Sequence, residues 1–348
     1  MAYFSIGMAL HAEGSYEDVL GLLSDGLSWT LGEEPIVLPS KSAIFQARSR
    51  LGPEPLERLF AKVATPLATT QVPGAFVGGR RVVAIDGTCL DVADSVENAT
   101  FFGRPGVNKG EQAAFPQARV VAVAECATHA IFDACVGAYA TSENTLAGEL
   151  IDRLEPGMLL VADRGICGFP LWSRAVATGA DLLWRAKPTM KPRVVKALDD
   201  GSWLAELRPS GSAGRRAEPL SIRVIDYRID DGRDNDEHYR LLTTILDPAD
   251  VSALDLAAIY SQRWEIENTF DELKTHQRGP RTVLRSKSPD LVLQEIWGHL
   301  CCHYAIRTLM WEAAEDVGVD PDRVSFVAAL RIARRSIALA RDFSPSGH

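Results

Sequence analysis

No two of the six cysteines stand in C-x-x-C spacing, and the string H-E-x-x-H does not occur. A thiolate zinc site and a zinc-protease helix therefore both lack their ligand spacing. His299 and His303 are four residues apart, but the surrounding text is apolar and they read as core histidines. Cys89, Cys126 and Cys135 interrupt strand-like apolar text and read as small buried hydrophobes. A reduced, cytoplasmic chain is the expectation. No membrane span is evident, so no membrane partner is expected. The opening MAYFSIGMAL has neither a basic flank nor a cleavage site, and Glu13 soon breaks it. It reads as a core helix already in progress at residue 1, which points to sequence before it. A basic excess is missing too: the net charge is −9, which argues weakly against a nucleic-acid partner.

The charge is segregated, however. Lys274, Arg278, Arg281, Arg285 and Lys287 form a run with no acid. So do the five bases from Arg185 to Lys196 and the four arginines from Arg331 to Arg341, while acids gather in Asp230–Glu237. One such run reads as solvated surface. Three runs around one candidate point to a surface that binds phosphate.

At 348 residues the chain can bury a sizeable core in two or three units. Residues 1–75 read as a helical domain, with two helices around Gly14-Ser15 and two more over 41–64. Ser40–Arg50 reads equally as a DNA-facing helix or a packing helix. The run RVVAIDGTCLDVA is a central strand broken by Asp86. Residues 101–116 form a Gly/Pro-rich loop carrying Arg104 and Lys109. Residues 118–139 are two strands joined near Thr128-His129. Ser142 with Glu143 opens a helix, MLLVADRG is a buried strand ending at Asp163, a helix follows over 168–178, and DLLWRAK is one more strand.

Three strands, then helix, strand, helix, strand predict an α/β fold: a mixed five-stranded sheet with helices on both faces. This is the ribonuclease-H-like order, in which the first and fourth strands are parallel neighbours. The catalytic core takes 76–187 and 251–348. It is split by a β-rich insertion, 188–250, with two strands around the acidic loop DDGRDNDE. Helices over 289–315 and 321–342 are expected to cover the sheet.

The stretch YSQRWEIENTFDELK reads as part of one helix over 252–277, with Ser252 and Asp255 as its capping pair and Gly279-Pro280 as its stop. At about 100° per residue, Arg263, Glu267 and Lys274 fall within a strip near Tyr260, along the edge of the apolar face. Asp86 and Asp163 each break an apolar strand, and a buried acid is costly unless paired or metal-bound. Taken singly, Asp86 fits a turn, Asp163 a helix cap and Glu267 an i, i+4 pair with Arg263. Taken together, three converging carboxylates call for a cation. Mg²⁺ suits them, and two such ions can serve both oxygens of a phosphodiester displacement.

The spacing Tyr260-x2-Arg263-x3-Glu267-x6-Lys274 resembles the Y-R-E-K signature of the insertion sequence 4 family of DDE transposases. Asp86 in IDGT and Asp163 in ADRG resemble that family's first two catalytic aspartates, and the resemblance covers nearly the whole chain. It implies that Asp86, Asp163 and Glu267 are catalytic and bind two Mg²⁺ or Mn²⁺ ions. It implies cut-and-paste cleavage of double-stranded DNA at terminal inverted repeats, a hairpin intermediate and transfer to target DNA. By the same resemblance Arg263 and Lys274 hold phosphates, Tyr260 adds a hydrogen bond, and Arg185 and Lys187 in WRAK approach DNA. Tyr239 stands where a relative stacks a flipped base on tryptophan; a strand residue packing on its neighbour fits equally. A homodimer on paired DNA ends, in the bacterial cytoplasm near the nucleoid, is the implied assembly. The alternatives are another ribonuclease-H-like nuclease and a domesticated DNA-binding protein that has lost catalysis.

Overall fold

The computed structural model describes residues 1–31, 38–106, 113–209, 211, 217–228, 238–280 and 282–339. Lys109, Arg281, Arg341 and the loop DDGRDNDE lie outside the described residues.

Strand β2 (Arg80–Asp91) is the axis of the sheet. Its residues alternate between two cores. Val82 and Ala84 enter one, and Val83 and Ile85 enter the other. A strand buried on both faces has no polar side, which is why its sequence reads as a continuous apolar run. Strand β3 (Gln117–Glu125) pairs antiparallel with β2, and β4 (Ile131–Ala138) pairs antiparallel with β3. The β3–β4 turn carries His129 at φ 55°, a left-handed conformation uncommon outside glycine that histidine adopts more readily than most side chains. On the other side β5 (Met158–Ala162) runs parallel to β2, and β6 (Asp181–Arg185) parallel to β5. Parallel neighbours need crossovers. Helix α5 (Val96–Phe102) follows β2, and helices α6 (Glu143–Ile151) and α7 (Phe169–Ala177) supply the crossovers, burying Leu146, Leu150 and Trp172 in one core. The order β4-β3-β2-β5-β6, with the first and fourth strands parallel, is the ribonuclease-H-like sheet. A two-residue strand, β1 (Phe76–Val77), also pairs with β2.

The insertion does not form a separate layer. Strands β7 (Arg193–Ala197), β8 (Trp203–Leu207), β9 (Leu220–Arg228) and β10 (His238–Thr243) make an antiparallel ribbon. Its last strand pairs with β6, Leu241 opposite Arg185 and Thr243 opposite Leu183, so the sheet continues to ten strands. An edge strand with unpaired amides recruits a neighbour, and β10 covers that edge.

The long helix expected over 252–277 is three pieces. Helix α8 (Ala253–Ser261) starts at Ser252, whose hydroxyl accepts the Asp255 N–H at 3.1 Å. The chain breaks at Gln262–Arg263, α9 (Trp264–Asp271) follows, and a π-helical turn occupies Glu272–Gln277. A uniform 100° step therefore misplaces the strip. Tyr260 and Arg263 are buried, whereas the Glu267 side chain is 42% exposed and Lys274 is exposed.

Helix α10 (Pro289–Val317) crosses the face that also holds Ile266 and Phe270 of α9, and α11 (Phe326–Leu339) packs beside it. Behind the π turn lies a buried polar knot. Glu272 accepts from the Arg307 guanidinium and pairs with His303 at 3.1 Å, and His129 stands 3.5 Å away. His299 is buried against Gln277, so both histidines are core residues as expected. Four N-terminal helices, α1 (Ala2–Leu10), α2 (Tyr16–Leu31), α3 (Lys41–Leu51) and α4 (Glu54–Val63), lean on α10 or on one another. Helix α3 packs through Ile44 and Arg48. The fully buried Arg48 donates to Gln294 at 2.7 Å and to Tyr16 at 2.6 Å.

Candidate active site

The last registered pair between β2 and β5 is Ile85 opposite Ala162. The next residue on each strand is an acid, Asp86 on one and Asp163 on the other. Asp86 lies midway along β2, where its pairing with β5 ends, and Asp163 just past the carboxyl end of β5; the strand order reverses here, and that is where α/β sheets open a crevice. Asp86 has the parity of Ala84, so it belongs to the face covered by α9. Its Oδ1 accepts the Gly87 N–H at 2.7 Å. Burial pushes its carboxyl up to about 6; the Gly87 bond and Arg263 oppose the rise, and the charges of Glu143 and Asp163 add to it. Asp163 Oδ1 accepts the N–H groups of Gly165 at 2.6 Å and Ile166 at 3.3 Å, which fixes the turn into the next helix.

Glu267 reaches this place from α9, where the Arg263 Nη1 holds its Oε1 at 2.9 Å. The same nitrogen lies 3.8 Å from the Asp86 Oδ2. Arg263 is only 8% exposed, and its Nε has no hydrogen-bond partner. Lys274 Nζ donates to Thr88 Oγ1 at 3.1 Å, two residues beyond Asp86 on β2. Tyr260, 4% exposed, meets the Tyr239 ring edge-on at 6.5 Å. Burial pushes its phenol well above the usual tyrosine range.

Tyr239 is flanked on both sides. Tyr227 of β9 stacks on it at 5.2 Å, and the Arg185 guanidinium of β6 lies 4.1 Å from its ring centre. Tyr227 is its cross-strand partner on β9. Lys187 sits with Arg164, Arg185 and Arg240 in a cleft of about 410 Å³. Arg240 is tied to Asp226 at 2.7 Å.

The basic runs are less uniform than their sequence suggests. Arg278 donates to the Thr282 carbonyl at 2.6 Å, Arg285 to that of Gly14 at 2.7 Å and Arg334 to that of Leu10 at 2.7 Å. These guanidiniums donate to backbone carbonyls of the fold, Arg278 from a buried position and Arg285 and Arg334 from half-buried ones. Lys274 is the member of its run that reaches β2.

Residues 77–305 match the family model described as "Transposase DDE domain", and residues 1–61 match "Insertion element 4 transposase N-terminal". The chain belongs to the DDE transposase family. It is 30% identical over 348 residues to "Transposase InsG for insertion sequence element IS4" of Escherichia coli (strain K12), covering 99% of this chain and 77% of that protein. A shorter likeness, 28% over 133 residues, joins it to "Putative transposase InsZ" of the same organism, covering 38% of this chain and 44% of that one. A cryo-EM structure of the piggyBac transposase synaptic complex with hairpin DNA aligns with a TM-score of 0.45 at 10% identity, covering 78% of this chain and 55% of that one.

Within this transposase, one acid near the sheet ends went unassigned in the sequence. Glu143 opens α6 and was legible only as a first-turn helix acid. A Cβ on Gly87 would come 2.7 Å from its Oε1, so the carboxylate lies against β2 at that residue. Burial pushes the Glu143 carboxyl up, and the Asp163 charge adds to the rise. Arg164, next to Asp163, is a second residue of the site that the sequence reading did not single out.

Among the described residues, no group of three His, Cys, Asp or Glu side chains is arranged to hold a metal ion. Glu267 is engaged with Arg263, whose Nη1 also faces Asp86. The donor chemistry still fits a hard divalent cation, because Asp86, Asp163 and Glu267 supply only carboxylate oxygens. The orphaned Arg263 Nε fits the oxygen of a phosphate brought beside that cation. Among the described residues, no helix is long and apolar enough to cross a membrane.

Proposed function

We propose that Asp86, Asp163 and Glu267 are the catalytic carboxylates of an insertion-sequence transposase that cleaves double-stranded DNA at the element ends and joins them to a target. The carrying observation is the pair of acids that follow Ile85 and Ala162 on parallel neighbours, with the Glu267 helix set against the same strand. These three residues would hold two Mg²⁺ or Mn²⁺ ions, which would supply charge stabilisation for the attacking and leaving oxygens.

The chain's own residues do the remaining work. Arg263 and Lys274 hold the phosphates flanking the scissile bond, and Tyr260 donates its phenolic proton to one of them. Water attacks phosphorus at the element end; a new P–O bond forms as the bond to the 3′ oxygen breaks, and a 3′-hydroxyl is released. That hydroxyl then attacks a phosphodiester of the opposite strand, displacing the flanking strand's 3′ oxygen as a hydroxyl and giving a hairpin; water reopens the hairpin, and the regained 3′-hydroxyl attacks a target phosphodiester, displacing a target 3′-hydroxyl. Phosphoryl transfer of this kind is mostly a matter of position and charge. Arg185 and Lys187 draw the strand towards the site, and Tyr239 backs Arg185. A dimer on paired ends gives each subunit one end to cut.

The experiment is cleavage of DNA carrying the element's inverted repeats, with Asp86→Ala, Asp163→Ala and Glu267→Ala compared with the parent. Each variant is expected to bind the ends, to unfold at the parent's temperature or above, and to cut nothing. Full cleavage by any one of them sinks the assignment.

A further inference from the structure

Helix α9 carries Glu267, and its roll about its own axis decides where that carboxylate points. Within α9, at about 100° per residue, Glu265 and Glu267 fall on opposite flanks of a stripe made by Ile266 and Phe270. Both apolar residues are buried in the core. Apolar burial is non-directional and leaves the roll loosely set. Hydrogen bonds supply the direction. On the Glu267 flank the contact is Arg263, which belongs to the site. On the other flank it is His129 of the β3–β4 turn, whose Nε2 stands 2.9 Å from the Glu265 Oε2.

His129 holds more than one point. Its Nδ1 lies 2.5 Å from the Arg307 Nη2 and 3.5 Å from the Glu272 Oε1. Glu272 follows Glu265 by seven residues, about two turns, so both lie on one face. One imidazole therefore reaches α9 near its start and the π turn just past its end. Arg307 can only donate, so Nδ1 accepts from it, and the ring hydrogen sits on Nε2, where Glu265 accepts it. Asp322 lies 3.4 Å from the same Nε2. Protonating Nδ1 turns that nitrogen from Arg307 to Glu272 and leaves the Glu265 bond in place.

The turn that presents this ring is itself tied down. The Thr128 hydroxyl donates to the Glu125 Oε2 at 2.6 Å, and the His129 N–H to the Glu125 carbonyl at 2.9 Å. The fully buried Glu125 carboxylate also accepts the Ala68 N–H at 2.8 Å. His129 is 7% exposed and holds φ 55°, where glycine or asparagine is the ordinary choice for a turn. A side chain kept in a sparsely populated conformation by an over-determined turn points to a use for that side chain.

We propose that His129 is a positioning residue for the transposase reaction: it clamps α9 through Glu265 and Glu272, and so sets where Glu267 and Arg263 stand against Asp86. This rests on the assignment of Asp86, Asp163 and Glu267 given under Proposed function. The effect of His129 passes through the helix and not through the reacting atoms. Sites of this kind work when the groups behind them are held as firmly as the groups in front.

The test is cleavage of inverted-repeat DNA by the full chain at saturating Mg²⁺ and DNA, with end affinity measured separately in EDTA and unfolding followed by circular dichroism. His129→Gly suits the left-handed backbone and leaves a space the shape of imidazole. It is expected to cleave about 10–100-fold more slowly while binding ends within about threefold of the parent, because a small misplacement costs rate more than affinity. Free imidazole should restore rate to His129→Gly and none to Glu265→Ala, which lacks the acceptor. A role in stability alone lowers the melting temperature, leaves the rate of the folded protein at the parent's value and overturns the inference. So does a loss of affinity as large as the loss of rate. Asp86→Asn is measured alongside. If it cuts nothing while His129→Gly cuts at the parent's rate, the three-acid assignment stands and only the inference is overturned. If Asp86→Asn cuts like the parent, the assignment is wrong and the inference falls with it. Should His129→Gly fail to fold, Glu265→Ala carries the test, since alanine favours a helix and the position is half-buried. It is expected to show the same split between rate and affinity, and parent-like cleavage by it overturns the inference.

Discussion

Arg263 bridges Glu267 and Asp86 with one nitrogen, 2.9 Å from the first and 3.8 Å from the second. The guanidinium therefore stands where a cation is wanted and competes with metal for both acids. The same group is wanted for phosphate once DNA arrives. Removing it should separate the two roles. Arg263→Gln is expected to tighten Mn²⁺ in the absence of DNA by about tenfold, since one charge at this separation is worth about 1–4 kcal/mol. The same variant is expected to slow end cleavage by about 100-fold or more, the usual cost of losing a preorganised charge at a phosphoryl site. An unchanged Mn²⁺ isotherm would show that guanidinium and metal do not compete.

Lys274 is parked on Thr88 at 3.1 Å, close to Asp86 along the strand. A lysine held by a hydroxyl is easily handed to a phosphate, because the hydroxyl contact is neutral. Lys274→Ala is expected to lower DNA-end affinity and to reduce the slope of log affinity against log salt by about one. Thr88→Val should leave that slope as it is. Equal salt slopes in Lys274→Ala and the parent would remove Lys274 from the phosphate contacts.

How much of this was legible depends on which physical rule the sequence exposes. Strand parity is local, so Val82–Ile85 announced a strand buried on both faces and Asp86 stood out as the acid that interrupts it. The Ser252 cap is local too, and it formed as read. The break at Gln262–Arg263 and the π turn are not local. They follow from tertiary anchors: Arg263 is drawn to Asp86, and Glu272 is drawn to Arg307 on α10. A helical wheel assumes neither, and it placed Glu267 and Lys274 nearer the core than they are. The basic runs hid something for a similar reason, because the carbonyls to which Arg278, Arg285 and Arg334 donate are invisible in one dimension. Glu143 was hidden by a competing local role, since an acid after Ser142 already has a sufficient explanation.

The knot behind the π turn predicts an acid limb. Burial alone would raise the Glu272 carboxyl, but hydrogen bonds from His129 and His303 and the charge of Arg307 outweigh it and hold the group well below the ordinary carboxylate range. A depressed carboxylate contributes stability that is present above its unfolded value, 4.5, and is lost as pH falls through its folded one. The parent's urea midpoint should therefore fall steadily below about pH 4.5. Glu272→Gln should lower the midpoint at neutral pH, by the equivalent of about 3–5 kcal/mol for one broken partner of a buried pair, and flatten the acid limb. Parallel acid limbs in the two proteins would place the titrating group elsewhere.

Tyr239 gives the last separation of roles. Its ring is packed between Tyr227 and Arg185, so its contribution to DNA binding is expected to pass through Arg185. A guanidinium over an aromatic face is worth about 0.5–2 kcal/mol, which is enough to orient it. Tyr239→Phe keeps the ring and is expected to bind element ends as the parent does. Tyr239→Ala should weaken binding about as much as Arg185→Ala, and the double variant should be little worse than either, because both act through one contact. A base-stacking role predicts something else. With 2-aminopurine at the nucleotide next to the cleavage site, stacking on Tyr239 would quench fluorescence in the parent and in Tyr239→Phe but not in Tyr239→Ala. Packing against Arg185 predicts equal fluorescence in all three, so one titration with the labelled DNA decides which partner the ring serves.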